Sequence, residues 1–388
     1  MKDLSERSAQ FTDSVIRRMT RISEHYNALN LSQGFPDFDP PKEITDRLAE
    51  IAGPGPHQYS ITWGAENFRI ALAEKQRYYM GRKLDPEKEM VVTCGSTEAM
   101  MAAMLTVTNP GDKVIVFSPF YENYGADAIL AGAEPIYVPL IPPEFHFDAN
   151  VLEAAFKQNP KALILCNPSN PCGRVFTRAE LETIAALAAK YDTYVITDEV
   201  YEHIVYAPHK HIYFNSLPGM FERTLSCSSL SKTYSITGWR LGYIIAPERL
   251  AETAKKVHDF LTVGAAAPLQ EAAVTALRFP QQYYQNLLAE YTEKRSIFIK
   301  GLQDAGIKHI APEGAYYVLS DISEYGYESD LEFCEVLARE VGIGAVPGSS
   351  FFREPVNHLI RLHFAKKNET LYEALNRLES MRKKMLKH

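Results

Sequence analysis

Lys232 is the side chain of this sequence best suited to covalent chemistry. It follows the β-rich run TLSCS at 224–228, lies among hydroxyl residues in the segment SLSKTYS, and lacks the neighbouring acid of an ordinary surface ion pair. An isolated lysine is usually only a solvated charge, whereas an amine in such surroundings can act as a nucleophile or carry a proton. The setting makes Lys232 a candidate catalytic residue.

A glycine and two hydroxyl residues, Gly95, Ser96 and Thr97, separate a predicted strand from a predicted helix in the segment VVTCGSTEAMMAAML. The first N–H groups of a helix have no partner inside the helix and carry partial positive charge, so this turn could hold a phosphate. An ordinary turn with a helix cap has the same pattern, and both interpretations stay open on these residues alone.

Two more polar segments follow predicted strands. The run ALILC at 162–166 leads to NPSNPCG, in which two Asn-Pro steps fix the backbone around Asn170. The run TYVIT at 193–197 leads to Asp198 and, three residues later, to the phenol of Tyr201. A rigid turn would explain Asn170 and a helix cap would explain Asp198, so position alone does not separate structure from catalysis.

Between about residue 90 and residue 250, short β-rich runs alternate with helical stretches, one of which starts with a capping box at Thr177 and Glu180. The six runs are VVT at 91–93, KVIVF at 113–117, ALILC at 162–166, TYVIT at 193–197, TLSCS at 224–228 and LGYIIA at 241–246. The alternation predicts an α/β fold with a mainly parallel sheet covered by helices. Ligands bind such sheets beyond the carboxyl ends of the strands, where the polar residues above lie.

The chain changes character at two places. The segment GFPDFDPP contains three prolines and a glycine that bar regular helix, which indicates an arm or connector. Beyond about residue 280 come a long charged helix, a strand-like YYVLSDI and a second capping box at Ser329 and Glu332, which are typical of a separate α+β unit. The predicted parts are an N-terminal arm at 1–45 that joins the small domain, a large domain at 46–280 and a small C-terminal domain at 281–388.

The composition excludes several classes of protein. The 388 residues are 46% hydrophobic and 23% charged, as in ordinary globular proteins, and no run reaches the roughly 18 apolar residues of a membrane span. A net charge of −7 gives no general attraction to nucleic acid or to anionic lipid. The five cysteines are scattered without a CxxC pair, so we expect free thiols and no metal site. Charges spread through MKDLSERSAQFTDSVIRRM predict no secretory signal and a cytoplasmic location.

Taken in order, these segments resemble the class I and II aminotransferases of the aspartate-aminotransferase superfamily. The matching stretches are GFPDF, CGSTEA, NPSNPCG, TDEVY and SLSKTYSITGWRLGY, and the resemblance runs from about residue 30 to about residue 365. The last stretch is the most specific, because Ser229 lies three residues before Lys232 and Arg240 lies eight after it. The fold implied is the fold type I of pyridoxal-phosphate enzymes, with a large sheet of about seven strands and a smaller α+β domain.

The resemblance implies pyridoxal 5'-phosphate as the cofactor. Lys232 would form a Schiff base with it and shuttle the proton between the substrate Cα and the cofactor. Asp198 would keep the pyridine nitrogen protonated so that the ring can accept electrons, and Tyr201 would hydrogen-bond the ring oxygen. The other cofactor contacts implied are Asn170 at the ring oxygen, and Ser229, Arg240, Gly95, Ser96 and Thr97 at the phosphate.

The resemblance also assigns residues to the ring face, the partner subunit and the substrate. Tyr121 in SPFYENY would stack on the cofactor ring, although a core aromatic is the competing interpretation. Tyr59 in HQYSITWGA matches a tyrosine that reaches the partner's phosphate, which implies a homodimer. Arg361 in HLIRLHFAK would bind the substrate carboxylate together with Asn170, and Gly34 would let the backbone approach the substrate.

The substrate class follows from weaker signals. GFPDFDPP and IRLHFAK look most like the branch that includes kynurenine, glutamine and methionine aminotransferases. Some aspartate-specific relatives carry a lysine where this chain has Thr97, so a second cation for a dicarboxylate is not evident. We therefore expect a large neutral or aromatic L-α-amino acid, such as kynurenine, methionine, glutamine or phenylalanine, as donor and a 2-oxo acid such as 2-oxoglutarate as acceptor.

Several alternatives stay open beside this one. An aspartate aminotransferase, a carbon–sulfur β-lyase, a decarboxylase or an aminocyclopropane-carboxylate synthase would use the same lysine, aspartate and arginine. A non-enzymatic aminotransferase-like sensor normally carries a DNA-binding domain, for which the arm leaves no room. The pair Ser229 and Lys232 also satisfies the SxxK pattern of penicillin-binding enzymes, but the companion SDN and KTG motifs are absent from the sequence.

Overall fold

The structure is a computed structural model that describes residues 4–11 and 13–386. The strands are β1 Leu29–Asn30, β2 Met90–Thr93, β3 Lys113–Ser118, β4 Glu134–Ile141, β5 His146–Phe147, β6 Ala162–Cys166, β7 Tyr194–Asp198, β8 Thr224–Ser229, β9 Gly242–Ile245, β10 His309–Ile310, β11 Tyr317–Asp321, β12 Ile343–Gly344, β13 Val346–Pro347 and β14 Leu359–His363. The helices are α1 Val15–His25, α2 Lys42–Ile51, α3 Glu66–Met80, α4 Gly95–Val107, α5 Asn123–Leu130, α6 Ala149–Phe156, α7 Arg178–Lys190, α8 Glu248–Thr262, α9 Ala267–Leu277, α10 Gln281–Asp304, α11 Asp330–Val336, α12 Asn368–Glu379 and α13 Met381–Met385.

Eight strands form the central sheet in the order β2-β9-β8-β7-β6-β3-β4-β5. The five strands β8, β7, β6, β3 and β4 run parallel to one another, β9 runs antiparallel between β2 and β8, and β5 is a two-residue antiparallel strand at the edge. Every residue of β2, β8 and β9 is buried, as expected for a sheet covered on both faces. The predicted α/β fold is confirmed, with β5 added to the seven strands expected.

The six predicted strands of this sheet agree with the structure to within one residue at each end. The strand β4 was not predicted, because Pro135 and Pro139 interrupt its pattern, and prolines are normally confined to sheet edges. Helix α7 begins as predicted: the Thr177 hydroxyl accepts the Glu180 N–H at 3.3 Å and the Glu180 carboxylate accepts the Thr177 N–H at 2.8 Å. The capping box at this helix is therefore confirmed.

A second, antiparallel sheet has the strand order β10-β11-β14-β13. The long helix α10 packs against α12 beside it, and α11 begins after Ser329, whose hydroxyl accepts the Glu332 N–H. The chain before GFPDFDPP also lies here, because β1 pairs in parallel with β12 through Leu29 and Ile343. This sheet carries Arg361 in the middle of β14. The exact domain limits given above stay predictions.

Among the residues described, none of the helices has both the length and the apolar character needed to cross a bilayer. All five cysteines are free, and three of them are buried, as the sequence predicted for thiols without a partner.

Candidate active site

Three loops that follow parallel strands meet at the carboxyl edge of the central sheet. Strand β6 ends at Cys166, β7 at Asp198 and β8 at Ser229. Cys166 pairs with Asp198 in register, and Asp198 pairs with Cys227, so the three loops start side by side. The segment that carries Lys232 therefore leaves the sheet next to Asp198.

Asp198 is a buried carboxylate, and the groups of the described residues that donate hydrogen bonds to it are uncharged. It is 6% exposed and accepts the Tyr124 hydroxyl at 2.7 Å and the Val200 N–H at 3.3 Å. Burial raises the pKa of Asp198, against the opposing effect of these two bonds and of the charge on Lys232. A cationic N–H at this carboxylate would compensate the cost of burying its negative charge.

The Lys232 side chain is half-buried, and its amine donates to the backbone oxygen of Gly34 at 3.3 Å. Burial, together with the positive charges of Arg240 and Arg361, lowers the pKa of Lys232 to about 8, whereas Asp198 acts in the opposite direction. About a tenth of this amine is unprotonated at pH 7, which is the form that attacks a carbonyl or accepts a proton.

The start of helix α4 forms a small cradle with Arg240. Gly95 has a φ of +81°, and a Cβ on it would overlap the terminal guanidinium nitrogen of Arg240. A Cβ on Gly242 would overlap the backbone of Gly95 and Ser96. Both positions require glycine, since only then can β9 and the arginine approach the helix start. Free helical N–H groups and a guanidinium together favour a dianion such as phosphate.

The hydroxyl residues predicted at the phosphate lie around this cradle with different exposure. Ser229 is 3% exposed and accepts the Ser231 N–H at 3.4 Å, Ser96 is half-buried and Thr97 is exposed. Arg240 itself is exposed and donates to the Thr237 backbone oxygen at 2.9 Å. The cradle thus opens to solvent at the helix start.

Arg361 is fully buried, and its hydrogen-bond acceptors among the described residues are neutral oxygens. One guanidinium nitrogen donates to the Asn170 side-chain oxygen at 2.8 Å and another to the Ser32 backbone oxygen at 2.8 Å. The rings of Tyr317 and Phe351 lie 4.3 and 4.6 Å from the guanidinium carbon. A buried cation held by neutral groups keeps its charge available for an anionic ligand. Asn170 therefore orients the arginine directly.

Three tyrosines that were not predicted, Tyr124, Tyr316 and Tyr317, complete the site around the predicted Tyr201. The hydroxyls of Tyr201 and Tyr317 lie 2.9 Å apart, and Tyr316 donates to the Gly34 oxygen at 2.8 Å. Burial raises the pKa of Tyr201 well above its usual value, so its phenol stays protonated. Tyr317 pairs with His363, which is two residues from Arg361 on strand β14. This proximity depends on the pairing of β11 with β14 and cannot be read from the sequence. Nothing in the sequence distinguishes Tyr124 from a core tyrosine.

Tyr121, Gly34 and Tyr59 are the remaining residues predicted for the site, and they differ in exposure and neighbours. Tyr121 is partly buried, with its ring centroid 5.8 Å from that of Tyr124, and burial raises its pKa. Gly34 faces Tyr317, since a Cβ on it would overlap that hydroxyl. Tyr59 is 87% exposed.

A lysine, a buried aspartate and two arginines thus converge at the carboxyl edge of a mainly parallel sheet. The fold is that of the fold type I enzymes, which is the class that the sequence predicted.

Comparison with known proteins gives the family. The chain belongs to the class I and II aminotransferases, whose family model matches residues 26–378. It is 36% identical over 373 residues to a methionine aminotransferase of Escherichia coli K12, covering 96% of this chain and 97% of that one. It is 32% identical over 419 residues to a kynurenine–oxoglutarate transaminase of Dictyostelium discoideum, covering 98% and 96%. The crystal structure of a methionine aminotransferase from Escherichia coli superposes with a TM-score of 0.94 at 35% identity, covering 98% and 100%.

This protein is therefore an amino-acid aminotransferase, acting on amino-acid and 2-oxo-acid substrates. The relatives are transferases, so the β-lyase and sensor alternatives are not favoured. The family uses pyridoxal phosphate.

Proposed function

We propose that this chain binds pyridoxal 5'-phosphate at Lys232 and transfers the amino group of a large neutral or aromatic L-α-amino acid to a 2-oxo acid. The observation that carries the proposal is the convergence of Lys232, Asp198 and Arg361 on one space at the sheet edge. The residues fit the cofactor: the hydrogen-bond donors to Asp198 in the described part of the chain are uncharged, and the Gly95 cradle leaves Arg240 exposed for a phosphate. When bound, the cofactor supplies an electron sink for the electrons released at the substrate Cα.

Lys232 holds and moves the proton in this proposal. With a pKa of about 8, its amine exists in both protonation states near neutral pH. The free amine would take the proton from the substrate Cα, and the resulting ammonium would give that proton to the cofactor carbon that receives the amino group. The Gly34 oxygen, which accepts from this amine, keeps it on the substrate side of the sheet edge.

The other residues bind and orient. Asp198 would hold a protonated ring nitrogen, and the Tyr124 hydroxyl, which donates to that carboxylate, would fix its position. Arg240 and the start of α4 hold the phosphate, and Tyr201 donates to the ring oxygen. Arg361 binds the substrate carboxylate, in an orientation set by Asn170.

A neutral or aromatic donor is proposed for two reasons. The relatives named above act on methionine and kynurenine, and aromatic side chains, Tyr317 and Phe351, flank the carboxylate-binding Arg361. Thr97, at the position where a second cation could stand, is uncharged and exposed. Aspartate is the second candidate donor and serves as the comparison in the assay.

The homodimer is also a proposal. Tyr59 belongs to an exposed apolar group whose other members are Ile61, Phe260, Leu261 and Val263, at 46, 93, 45 and 49% exposure. The segment that carries Tyr59 and the end of helix α8 are adjacent, because the His258 ring nitrogen forms a hydrogen bond of 2.9 Å with the Thr62 backbone oxygen. Large apolar groups exposed together mark protein interfaces, and a second copy would place Tyr59 near a neighbouring cradle. The cytoplasmic location stays a prediction.

The cofactor proposal is tested by visible absorption after pyridoxal phosphate is added to purified wild type, Lys232→Ala and the surface control Lys88→Ala. We expect wild type and Lys88→Ala to gain a visible band that converts to a pyridoxamine-like spectrum with methionine, kynurenine or phenylalanine, and more slowly with aspartate. Lys232→Ala should gain no such band. A colourless wild type would contradict the cofactor assignment, and release of ammonia and pyruvate would indicate lyase chemistry instead.

A further inference from the structure

Tyr317 forms a bridge between the two halves of the site. It is 3% exposed, its hydroxyl lies 2.9 Å from that of Tyr201, and its ring lies 4.3 Å from the Arg361 guanidinium. One side chain thus contacts the phenol assigned to the cofactor and the arginine assigned to the substrate. Tyr201 follows strand β7 of the large sheet, whereas Tyr317 opens strand β11 of the second sheet.

The direction of the hydrogen bond between the two phenols follows from the donors available. Each phenol has one proton to donate. If Tyr201 gives its proton to the cofactor's ring oxygen, as the proposed function requires, the bond between the phenols must be donated by Tyr317. In that arrangement Tyr317 polarises the Tyr201 hydroxyl and makes it the stronger donor, since hydrogen bonds in a chain reinforce one another.

We propose that Tyr317 is a positioning residue with two separable roles: its hydroxyl donates to Tyr201 and so tunes the bond of that residue to the cofactor, and its ring orients Arg361 for the substrate carboxylate. This inference rests on the proposed function. It adds a residue that acts on the cofactor through Tyr201 without touching it.

Gly34 provides an independent observation for this arrangement. A Cβ at position 34 would overlap the Tyr317 hydroxyl and the ring carbons next to it. The ring is enclosed by Tyr316, at 4.9 Å between centroids, and by Tyr201, at 5.8 Å, so it has little room to move aside. The absence of a side chain at Gly34 is therefore what allows Tyr317 to reach Tyr201.

The effect of the hydroxyl has a definite sign. With the cofactor bound, negative charge on its ring oxygen would favour a proton on the Lys232 nitrogen, and a hydrogen bond donated by Tyr201 would withdraw part of that charge. A weaker donor therefore raises the pH midpoint at which the visible band of the loaded enzyme changes. The charged groups acting on Lys232 are Arg240, Asp198 and Arg361, and removing a phenol oxygen changes none of them.

The experiment is a spectrophotometric pH titration of the loaded enzyme, without substrate, for wild type, Tyr201→Phe, Tyr317→Phe and the double variant. A hydrogen bond of ordinary strength predicts a rise of about 0.7 pH unit for Tyr201→Phe. Tyr317→Phe should raise the midpoint by about 0.2 pH unit, and the double variant should match Tyr201→Phe alone, because Tyr317 acts through Tyr201. Tyr206→Phe is the matched control, since it removes a buried hydroxyl bound to the Ala315 oxygen and should leave the midpoint unchanged.

Two more variants, Tyr317→Leu and Gly34→Ala, test the role of the Tyr317 ring and the position of its hydroxyl. Tyr317→Phe should keep the KM for the amino donor, whereas Tyr317→Leu should raise both that KM and the midpoint. Gly34→Ala should reproduce the midpoint of Tyr317→Phe if the added methyl group displaces the Tyr317 hydroxyl.

The outcomes separate this inference from the function on which it rests. If wild type shows no titrating band, the cofactor proposal fails. If Tyr201→Phe moves the midpoint while Tyr317→Phe does not, or if the two shifts simply add in the double variant, the cofactor proposal stands and the role of Tyr317 is refuted. Should Tyr317→Phe fold poorly, the Gly34→Ala midpoint decides the same question.

Discussion

Replacing Arg361 by lysine tests how the chain recognises a substrate carboxylate. Lysine keeps the charge but loses the planar fork that is held by Asn170, Ser32 and the flanking rings, so it cannot form two parallel bonds to a carboxylate. The loss of one charge-assisted hydrogen bond costs about 2 kcal/mol, which corresponds to about a 30-fold weaker binding of the donor. The maximal rate should change less, because Lys232 and Asp198 are untouched.

The assay is single-turnover conversion of the visible band as a function of methionine concentration, repeated with methioninamide, which lacks the carboxylate. Arg361→Lys should weaken the binding of methionine about 30-fold and that of the amide only slightly. Arg295→Lys is the matched control, because Arg295 also contacts a backbone oxygen and a tyrosine ring but lies outside the site. Equal losses for methionine and its amide, or no loss for either, would refute the assignment of Arg361 to the carboxylate.

Two further predictions concern stability of the cofactor-free protein. Burial gives Lys232 a pKa of about 8 against 10.5 in the unfolded chain, so its charge destabilises the fold below pH 8 and this penalty disappears as the pH rises from 8 to 10.5. Lys232→Met should therefore be more stable than wild type in urea unfolding at pH 7, by up to about 3 kcal/mol, and the difference should vanish near pH 10.5. Glu202→Gln leaves the ammonium of Lys75 buried without its partner, at side-chain exposures of 1% and 5%, and should lower the unfolding free energy by about 3–5 kcal/mol. The exposed pair of Lys42 and Asp46 is the control, and Asp46→Asn should change the unfolding free energy little in the same urea titration.

The central sheet could be predicted because its strands are buried on both faces. A continuous apolar run such as ALILC or KVIVF has few alternatives once helical patterns precede and follow it. Strand β4 was not predicted, because two prolines interrupt its apolar pattern near the sheet edge. The order of the strands, and the antiparallel insertion of β9, depend on tertiary pairing that no local pattern encodes.

The candidate site was predicted where chemistry requires a special residue type, and missed where it uses a common one. Lys232 differs from the usual residue after a buried strand and stood out in the sequence, whereas Asp198 and Arg361 were assigned through the resemblance to the aminotransferases. Tyr124 and Tyr317 have the composition of core residues and acquire their roles only from distances of 2.7 and 2.9 Å to other side chains. Gly34 was predicted to admit the substrate, whereas the structure adds a second reason, the room that Tyr317 needs.

The electrostatics of the site explain how a chain with a net charge of −7 can bind anions. Arg240 and Arg361 both lower the pKa of Lys232, and Asp198 is the anion that opposes them. The site is therefore locally cationic before any ligand arrives, which favours a phosphate at Arg240 and a carboxylate at Arg361. Each anion that binds neutralises one of these charges and so raises the proton affinity of the Lys232 amine. In the proposed function, occupancy of the two anion sites would thus prepare Lys232 to hold the proton that it moves.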